Sequence, residues 1–147
     1  MALARLGLIC LDCEDPAVLA AFWAGLLGGE TEPILGDDVV MVKSPGTPVA
    51  AVRVPDYRPP TWPGGAIGKQ MHLDLAVGDL DAAEAEAIRL GATRASEQPH
   101  PSRWRVMLDP AGHPFCLCDW SQPLPAVRED RAGRRSGTRT GRPGGRE

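Results

Sequence analysis

Residues 70–80 read QMHLDLAVGDL, and this stretch decides the fold. Its large apolar residues recur at every second position, which is typical of a β-strand with one buried face. The residues of the apolar face are Met71, Leu73, Leu75 and Val77. The opposite face carries His72, Asp74 and Ala76, so two polar side chains are predicted to leave the same side of the strand.

An alanine-rich helix is predicted to follow this strand. Asp79 and Asp81 provide its N-cap, because a carboxylate can accept hydrogen bonds from the first free N–H groups of a helix, and Gly91 ends it. The helix can bury itself only against the apolar face of the strand. His72 and Asp74 then point away from the helix, into the space that the other side of the sheet encloses.

The same pattern occurs once earlier in the chain. Residues 6–13 are strand-like, Asp15 and Pro16 supply an N-cap and a proline at the first helical position, and an apolar helical stripe stops at Gly28. Each predicted helix is followed by three strand-like segments, the last two of which are joined by a proline–glycine turn. These segments are 30–35, 38–43 and 48–54 in the first half, and 92–97, 103–108 and 113–120 in the second. Both halves therefore read βαβββ, which indicates a duplicated module.

We predict an α+β domain over residues 1–120, in which two βαβββ modules form curled mixed sheets around a cleft, with the helices outside. Module one covers about residues 4–55 and module two about residues 70–120. The linker between them, residues 55–69, contains four prolines and two adjacent glycines, which exclude a helix and predict an extended crossover. Its aromatic residues Tyr57 and Trp62 either cover the rim of the cleft or pin the linker to the core.

The length of the chain and its apolar segments limit the class of protein. A chain of 147 residues suits one compact domain. It contains no apolar run of membrane-spanning length and does not begin like a signal peptide, so we expect a cytoplasmic protein with no membrane partner.

Residues 121–147 form a basic tail with seven Arg and three acids, which we predict to be disordered from about Pro125 onward. An arginine-rich tail can bind nucleic acid, but these arginines lack aromatic neighbours and the domain itself is acidic, so nucleic acid is not an expected partner.

Four cysteines are arranged as Cys10 with Cys13 and Cys116 with Cys118. Both pairs fall inside predicted strands, whereas a zinc knuckle needs its first pair on a tight turn. We interpret them as small buried thiols and expect no disulfide in a cytoplasmic chain with a full core.

Of the three histidines, only His72 falls on a predicted strand whose alternation fixes the direction of the neighbouring side chains. His100 lies in a loop between prolines and His113 in a β-turn, so we interpret both as solvated turn residues. Trp104 is expected to line the cleft. The sequence contains no phosphate-binding loop, nucleophile elbow or helical pair of metal-binding histidines.

The two βαβββ modules, the entry pattern of residues 72–79 and the turn of residues 109–113 together resemble the vicinal-oxygen-chelate superfamily. That superfamily includes glyoxalase I, extradiol dioxygenases and the bleomycin- and fosfomycin-resistance proteins. More narrowly, residues 11–16, 59–63 and 115–118 resemble actinobacterial glyoxalase-like domain proteins. The resemblance covers about residues 4–120 and is specific for the fold rather than for an activity.

The resemblance implies where a divalent metal would be held. Enzymes of the superfamily use one His, Gln or Glu from the first strand and one from the last strand of each module. His72 matches the first-strand position of module two, and Cys116 stands at the last-strand position. The corresponding positions in module one hold Leu8 and either Ala50 or Val52, which are not ligands.

We therefore expect no metal or other cofactor, because a single imidazole holds a divalent cation weakly. The alternative is a soft site of His72 and Cys116, with Cys10 as a third ligand for Zn²⁺. A third interpretation is that His72 and Asp74 only satisfy each other's hydrogen bonds in a polar interior.

The predicted function is the binding of a small organic ligand in the cleft between the sheets. The predicted ligand-binding residues are His72, Asp74, Trp104, Cys116 and Cys10. The alternative is a metal-dependent lyase, isomerase or dioxygenase with an atypical site, or with His72 as general base. The sequence assigns no catalytic residue and leaves open whether the chain is an enzyme. The resemblance also implies a homodimer, whose modules pair within one chain or across two.

Overall fold

The structure is a computed structural model that describes residues 2–121. The order of its elements is βαβββ twice, as predicted. Module one consists of β1 (Ile9–Cys13), α1 (Pro16–Leu27), β2 (Glu30–Leu35), β3 (Val39–Lys43) and β4 (Val49–Arg53). Module two consists of β5 (Leu73–Val77), α2 (Leu80–Leu90), β6 (Thr93–Arg94), β7 (Trp104–Leu108) and β8 (Pro114–Asp119). The predicted disorder of the basic tail falls outside the described residues.

Each module folds into its own four-stranded mixed sheet. Sheet one has the strand order β1-β4-β3-β2 and sheet two the equivalent order β5-β8-β7-β6. The first strand of each module runs parallel to the last, and the other neighbours are antiparallel. The α+β class and the mixed sheets of the two modules are thus confirmed.

Both helices begin and end where their capping residues predicted. Oδ1 of Asp15 accepts hydrogen bonds from the backbone N–H groups of Ala17 and Val18, and Oδ1 of Asp79 accepts the equivalent pair in α2. Gly28 and Gly91 follow the two helices with φ of 68° and 118°, a left-handed conformation in which a side chain would be strained. Asp81 was expected to share the capping of α2, but it lies in the first turn and binds Arg105 instead.

One hydrophobic core joins the two modules. Leu73, Leu75 and Val77 pack against it from sheet two, as their alternation predicted. Trp23 of α1 meets Phe115 of β8 at a centroid distance of 5.3 Å, so a helix of one module contacts a strand of the other. This shared core leaves the opposite face of sheet two open.

The linker contains no helix in residues 55–69, as predicted, but it is not simply extended. It folds back on itself where the Thr61 N–H donates to the carbonyl of Ile67 at 2.6 Å. Its two aromatic residues were predicted either to cover the rim of the cleft or to pin the linker to the core, and they differ in this respect. The Tyr57 hydroxyl donates to the carbonyl of Ala111 at 2.8 Å and pins the linker to module two, whereas Trp62 packs on the open face of sheet two.

Within residues 2–121, neither helix is long and apolar enough to cross a membrane.

Candidate functional site

The open face of sheet two carries Asp74, as the alternation of β5 predicted. The strand begins later than predicted, so His72 lies one residue before it, and Met71, which was expected on the buried face, is exposed. Asp74 and Ala76 are exposed, while their neighbours on the strand turn toward the core. Asp74 pairs in register with Cys116 on the adjacent parallel strand β8. Asp74, on the first strand of module two, therefore lies directly beside Cys116 on the last.

A cavity of about 390 Å³ lies on this open face, and we call it the tryptophan cavity. It brings together four of the five predicted ligand-binding residues, His72, Asp74, Trp104 and Cys116. Among its other lining residues, Lys69 and Trp120 were not singled out from the sequence, and Cys118 was interpreted only as a small buried thiol. Trp62 had been placed at the cleft as one of two alternatives. Its size falls in the range of small-molecule sites.

Cys10, the fifth predicted residue, lies elsewhere. It is exposed on β1 and lines a separate cavity of about 370 Å³, which His72 also lines but Cys116 does not. We call this second space the inter-module cavity. The structure therefore does not join Cys10 to His72 and Cys116 in one three-residue cluster. The reason is that Cys10 belongs to the edge of sheet one, whereas Cys116 belongs to sheet two.

The ligand atoms of His72, Asp74 and Cys116 all lie within 4.8 Å of one another. Nε2 of His72 is 3.3 Å from Oδ1 of Asp74, and both side chains are partly exposed, at 35% and 47%. The predicted contact between His72 and Asp74 is thus present. It leaves one side of the pair open to solvent and to a ligand.

The two thiols of the tryptophan cavity are held in their neutral form. Burial raises the pKa of Cys116 to about 12, the negative charge of Asp74 adds to this, and Lys69 opposes it. Burial and Asp74 also raise the pKa of Cys118. Cys116 is therefore a weak nucleophile in this environment, because the thiolate is the reactive form.

Aromatic side chains form the walls of the tryptophan cavity. The ammonium group of Lys69 lies 4.0 Å from the ring centroid of Trp62, which is the geometry of a cation–π contact. The indole Nε1 of Trp62 is buried and has no hydrogen-bond partner among the described residues. A buried donor without an acceptor is unfavourable.

His113 is not the solvated turn residue that the sequence predicted. Its Nδ1 lies 3.0 Å from Oδ2 of Asp109, and its Nε2 lies 3.2 Å from the Tyr57 hydroxyl. Asp109 is fully buried and also accepts hydrogen bonds from Trp23 Nε1 and from the backbone N–H groups of Ala111 and His113. The sequence signal for this network was an Asp at the start of a proline turn four residues before a His, which we interpreted only as a turn.

The chemistry of the cluster on the open face can be compared with that of a metal site. One imidazole, one carboxylate and one thiolate form a donor set that Zn²⁺ accepts, and catalytic zinc sites use three protein ligands. The residue types of His72, Asp74 and Cys116 fit such a site, provided that Cys116 loses its proton. In module one, Leu8 and both Ala50 and Val52 offer no ligand atom.

A family model described as a glyoxalase-like domain matches residues 8–118. The chain belongs to the glyoxalase-like domain family. No protein of curated function matches the sequence.

Solved structures share the fold of this glyoxalase-like domain at low sequence identity. The fosfomycin resistance protein FosX from Listeria monocytogenes is 15% identical with a TM-score of 0.62, covering 84% of this chain and 97% of its own. A glyoxalase/bleomycin resistance protein/dioxygenase family enzyme from Burkholderia phytofirmans is 17% identical with a TM-score of 0.60, covering 79% and 98%.

A variant of Listeria FosX was solved in complex with Mn(II) and 1S,2S-dihydroxypropylphosphonic acid; it is 16% identical with a TM-score of 0.59, covering 80% and 90%. At such identities the likeness establishes the fold and leaves the activity of this chain to be argued from its own residues.

Proposed function

We propose that this glyoxalase-like domain binds a small planar organic molecule in the tryptophan cavity without the divalent metal of its enzymatic relatives. One observation carries the proposal: three tryptophans, Trp62, Trp104 and Trp120, line one cavity together with His72 and Asp74. Mainly apolar walls with a few convergent polar groups are the usual form of a small-molecule site.

The contacts of the cavity define the class of ligand. Flat indole rings stack on planar molecules, and such pairs are worth about 0.5–1.5 kcal/mol beyond their buried area. Lys69 and Asp74 supply one charge of each sign, which suits a ligand with both an acidic and a basic group.

Thermal-shift measurements with planar aromatic antibiotics and metabolites test the proposal. A ligand present at 100 times its Kd stabilises the folded chain by about 2.7 kcal/mol, which raises Tm by several degrees. Trp104→Leu and Trp120→Leu are each expected to weaken the binding of a stabilising compound at least tenfold. Ile88→Ala, an exposed position on α2, is the matched control and should leave binding unchanged. A compound set without any stabilising member, or a stabilising compound insensitive to both tryptophan substitutions, would contradict the proposal.

A second candidate function is metal-dependent catalysis, which the spacing of His72, Asp74 and Cys116 favours. These three residues would hold the ion, and a bound ion would polarise an oxygen of the substrate as a Lewis acid. Elemental analysis of protein purified without chelator decides between the candidates. Stoichiometric zinc, iron, nickel or manganese that is lost in His72→Ala but kept in His100→Ala would establish the metal site and overturn the metal-free proposal.

A further inference from the structure

The last strand of module two places two cysteines on the same side of sheet two. Cys116 and Cys118 are two residues apart on β8, and side chains at that spacing leave the same face of a strand. Both pack in the hydrophobic cluster of the open face, while their neighbours Phe115 and Leu117 pack in the core shared by the modules. Both thiols line the tryptophan cavity, which therefore offers a pair of sulfur atoms.

The other two cysteines are not arranged as such a pair. Cys10 and Cys13 are three residues apart on β1, so their side chains leave opposite faces of that strand. Cys10 is exposed, and Cys13 is buried in the core shared by the modules. Of the four cysteines of the chain, all of which the structure describes, Cys116 and Cys118 are the two that line the tryptophan cavity.

The surroundings keep both thiols of this pair protonated. Burial is the largest cause, and it raises the pKa of Cys116 to about 12 and also raises the pKa of Cys118. The charge of Asp74 and a hydrogen bond to its carboxylate add to the effect for both thiols, so this carboxylate lies close to both side chains. Reagents that require a thiolate are disfavoured here. The pair suits an electrophile that removes both hydrogens and leaves no charge on sulfur, because a buried charge is costly.

Trivalent arsenic that carries one organic group has this chemistry. In an arsenoso compound, R–As=O, the arsenic atom is uncharged and can bond to two sulfur atoms. Each thiol forms one As–S bond, the bonds from arsenic to oxygen break, and the two thiol hydrogens leave with the oxygen as water. Arsenic stays trivalent, so the step needs no oxidant or reductant, and the product is neutral. Asp74 loses its thiol donors in this step, but its side chain is partly exposed, so water can replace them.

The walls of the cavity select the organic group. Three tryptophans line the cavity beside the two thiols, and flat aromatic rings stack well against indole. Lys69, His72 and Asp74 line the cavity as well. Lys69 lies against the ring of Trp62, and His72 contacts Asp74, so these polar groups have partners within the protein. A neutral aryl group can therefore lie against the indole rings without having to pair with a charge.

We propose that Cys116 and Cys118 form a dithiol site that captures an aromatic compound of trivalent arsenic through two As–S bonds. This activity goes beyond the non-covalent binding proposed above and does not depend on it, because the two sulfur atoms supply the attachment. Two linked attachments hold a ligand about 100-fold or more tightly than one does. Both sulfur atoms are therefore required.

Phenylarsine oxide is the probe that tests this assignment. The full chain is kept reduced with a phosphine, because a dithiol reductant would compete for arsenic. Intact mass spectrometry of the folded chain is expected to show one adduct, with the mass of the probe less one water. The adduct should survive an excess of 2-mercaptoethanol and be removed by 2,3-dimercaptopropanol, as a two-sulfur adduct would. No adduct at stoichiometric probe, or an adduct that 2-mercaptoethanol removes, would overturn the proposal.

Cysteine labelling locates the adduct in the wild-type chain. Once the adduct has formed, the protein is unfolded in urea that contains N-ethylmaleimide, and its peptides are analysed by mass spectrometry. We expect Cys10 and Cys13 to be labelled and Cys116 and Cys118 to be protected. Protection of Cys10 or Cys13 in place of the pair on β8 would overturn the assignment.

Single substitutions test whether both sulfur atoms are needed. Cys116→Ser and Cys118→Ser should each weaken capture about 100-fold or more, because one of two linked attachments is lost. Cys10→Ser is the matched control and should capture the probe like the parent. Unchanged capture in either β8 variant would overturn the proposal, and the wild-type labelling result stands even if a variant fails to fold. Failure of capture, together with a planar compound that stabilises the parent and Cys118→Ser equally, would overturn this inference alone and leave the proposed function standing.

Discussion

The indole Nε1 of Trp23 donates a hydrogen bond of 3.1 Å to Oδ2 of Asp109, which joins helix α1 of module one to the last turn of module two. The two residues are 86 positions apart in sequence. The carboxylate is fully buried, and every group that approaches it can act as a donor. A buried charge of this kind is tolerated only because its hydrogen bonds are complete.

Replacing Asp109 by Asn tests how much these hydrogen bonds contribute to the stability of the folded chain. The side-chain amide of Asn has only one acceptor oxygen, and its N–H groups would face donors of the protein, so hydrogen bonds would be lost. We therefore expect the free energy of unfolding to fall by about 2–4 kcal/mol. Urea denaturation followed by tryptophan fluorescence measures the change. Asp37→Asn, in the exposed turn between β2 and β3, is the control and should change stability little. An Asp109→Asn variant as stable as the parent would show that the carboxylate is not needed.

The four cysteines should differ sharply in reactivity. Cys10 is exposed, whereas Cys13, Cys116 and Cys118 are buried. Burial raises the pKa of Cys13 to about 11 and that of Cys116 to about 12, so few thiolates form at neutral pH. In native protein at pH 8 we expect one thiol to react rapidly with Ellman's reagent, and four after unfolding. Cys10→Ser should abolish the rapid phase, and rapid reaction of a second thiol would contradict the burial of the others.

Stability should decline at alkaline pH. The pKa of Cys116 rises from 9.0 to about 12 on folding, so above pH 9 the unfolded chain loses a proton that the folded chain keeps. The stabilisation is present below pH 9 and is lost as the pH rises toward 12, at up to about 1.4 kcal/mol per pH unit for this thiol. Cys13 and Tyr57 act in the same direction.

Urea titrations between pH 8 and 10.5 under reducing conditions measure this decline. Cys116→Ala should have a shallower slope than the parent, because one of the ionising thiols is gone. Val106→Ala, a neighbouring substitution in the same cavity, controls for lost packing and should keep the parent's slope. Parallel slopes for Cys116→Ala and the parent would refute the linkage.

The chain is expected to form a homodimer. The linker of residues 55–69 is long enough for modules to pair within one chain or across two. Light scattering of the full chain and of a version ending at Gln122 should both give the mass of a dimer. A monomer at micromolar concentration would contradict the dimer, and a dimer lost only on truncation would show that the basic tail contributes.

Much of the fold followed from local signals in the sequence. The caps Asp15 and Asp79 and the glycines after both helices are determined by neighbouring residues, so their positions could be predicted from the sequence. The alternation of β5 likewise predicted that Asp74 would lie on the open face. Strand β6 is much shorter than the predicted segment of residues 92–97. Beyond Arg94 only the Ala95 N–H keeps a backbone hydrogen bond to β7, and the side chain of Gln98 binds the N–H and the carbonyl of Val106 in place of further strand pairing.

The parts of the site that escaped prediction depend on contacts between distant residues. Trp62 and Lys69 reach the open face of sheet two only because the linker folds back on itself at residues 61–68. The network of His113 requires Trp23 and Tyr57, which come from two other parts of the chain. Cys10 lies at an exposed position of its strand, as the alternation predicted. That strand, β1, belongs to sheet one, however, and not to sheet two, which carries Cys116. The spacing of residues along the sequence does not predict such contacts between distant parts of the chain.

Lys69 and His72 line both the tryptophan cavity and the inter-module cavity. A molecule bound in either space would fix the conformations of these two side chains and thereby change the charge presented to the other. If both spaces take ligands, their binding is expected to be thermodynamically coupled, and such a coupling is reciprocal: each occupant would change the affinity for the other by the same factor.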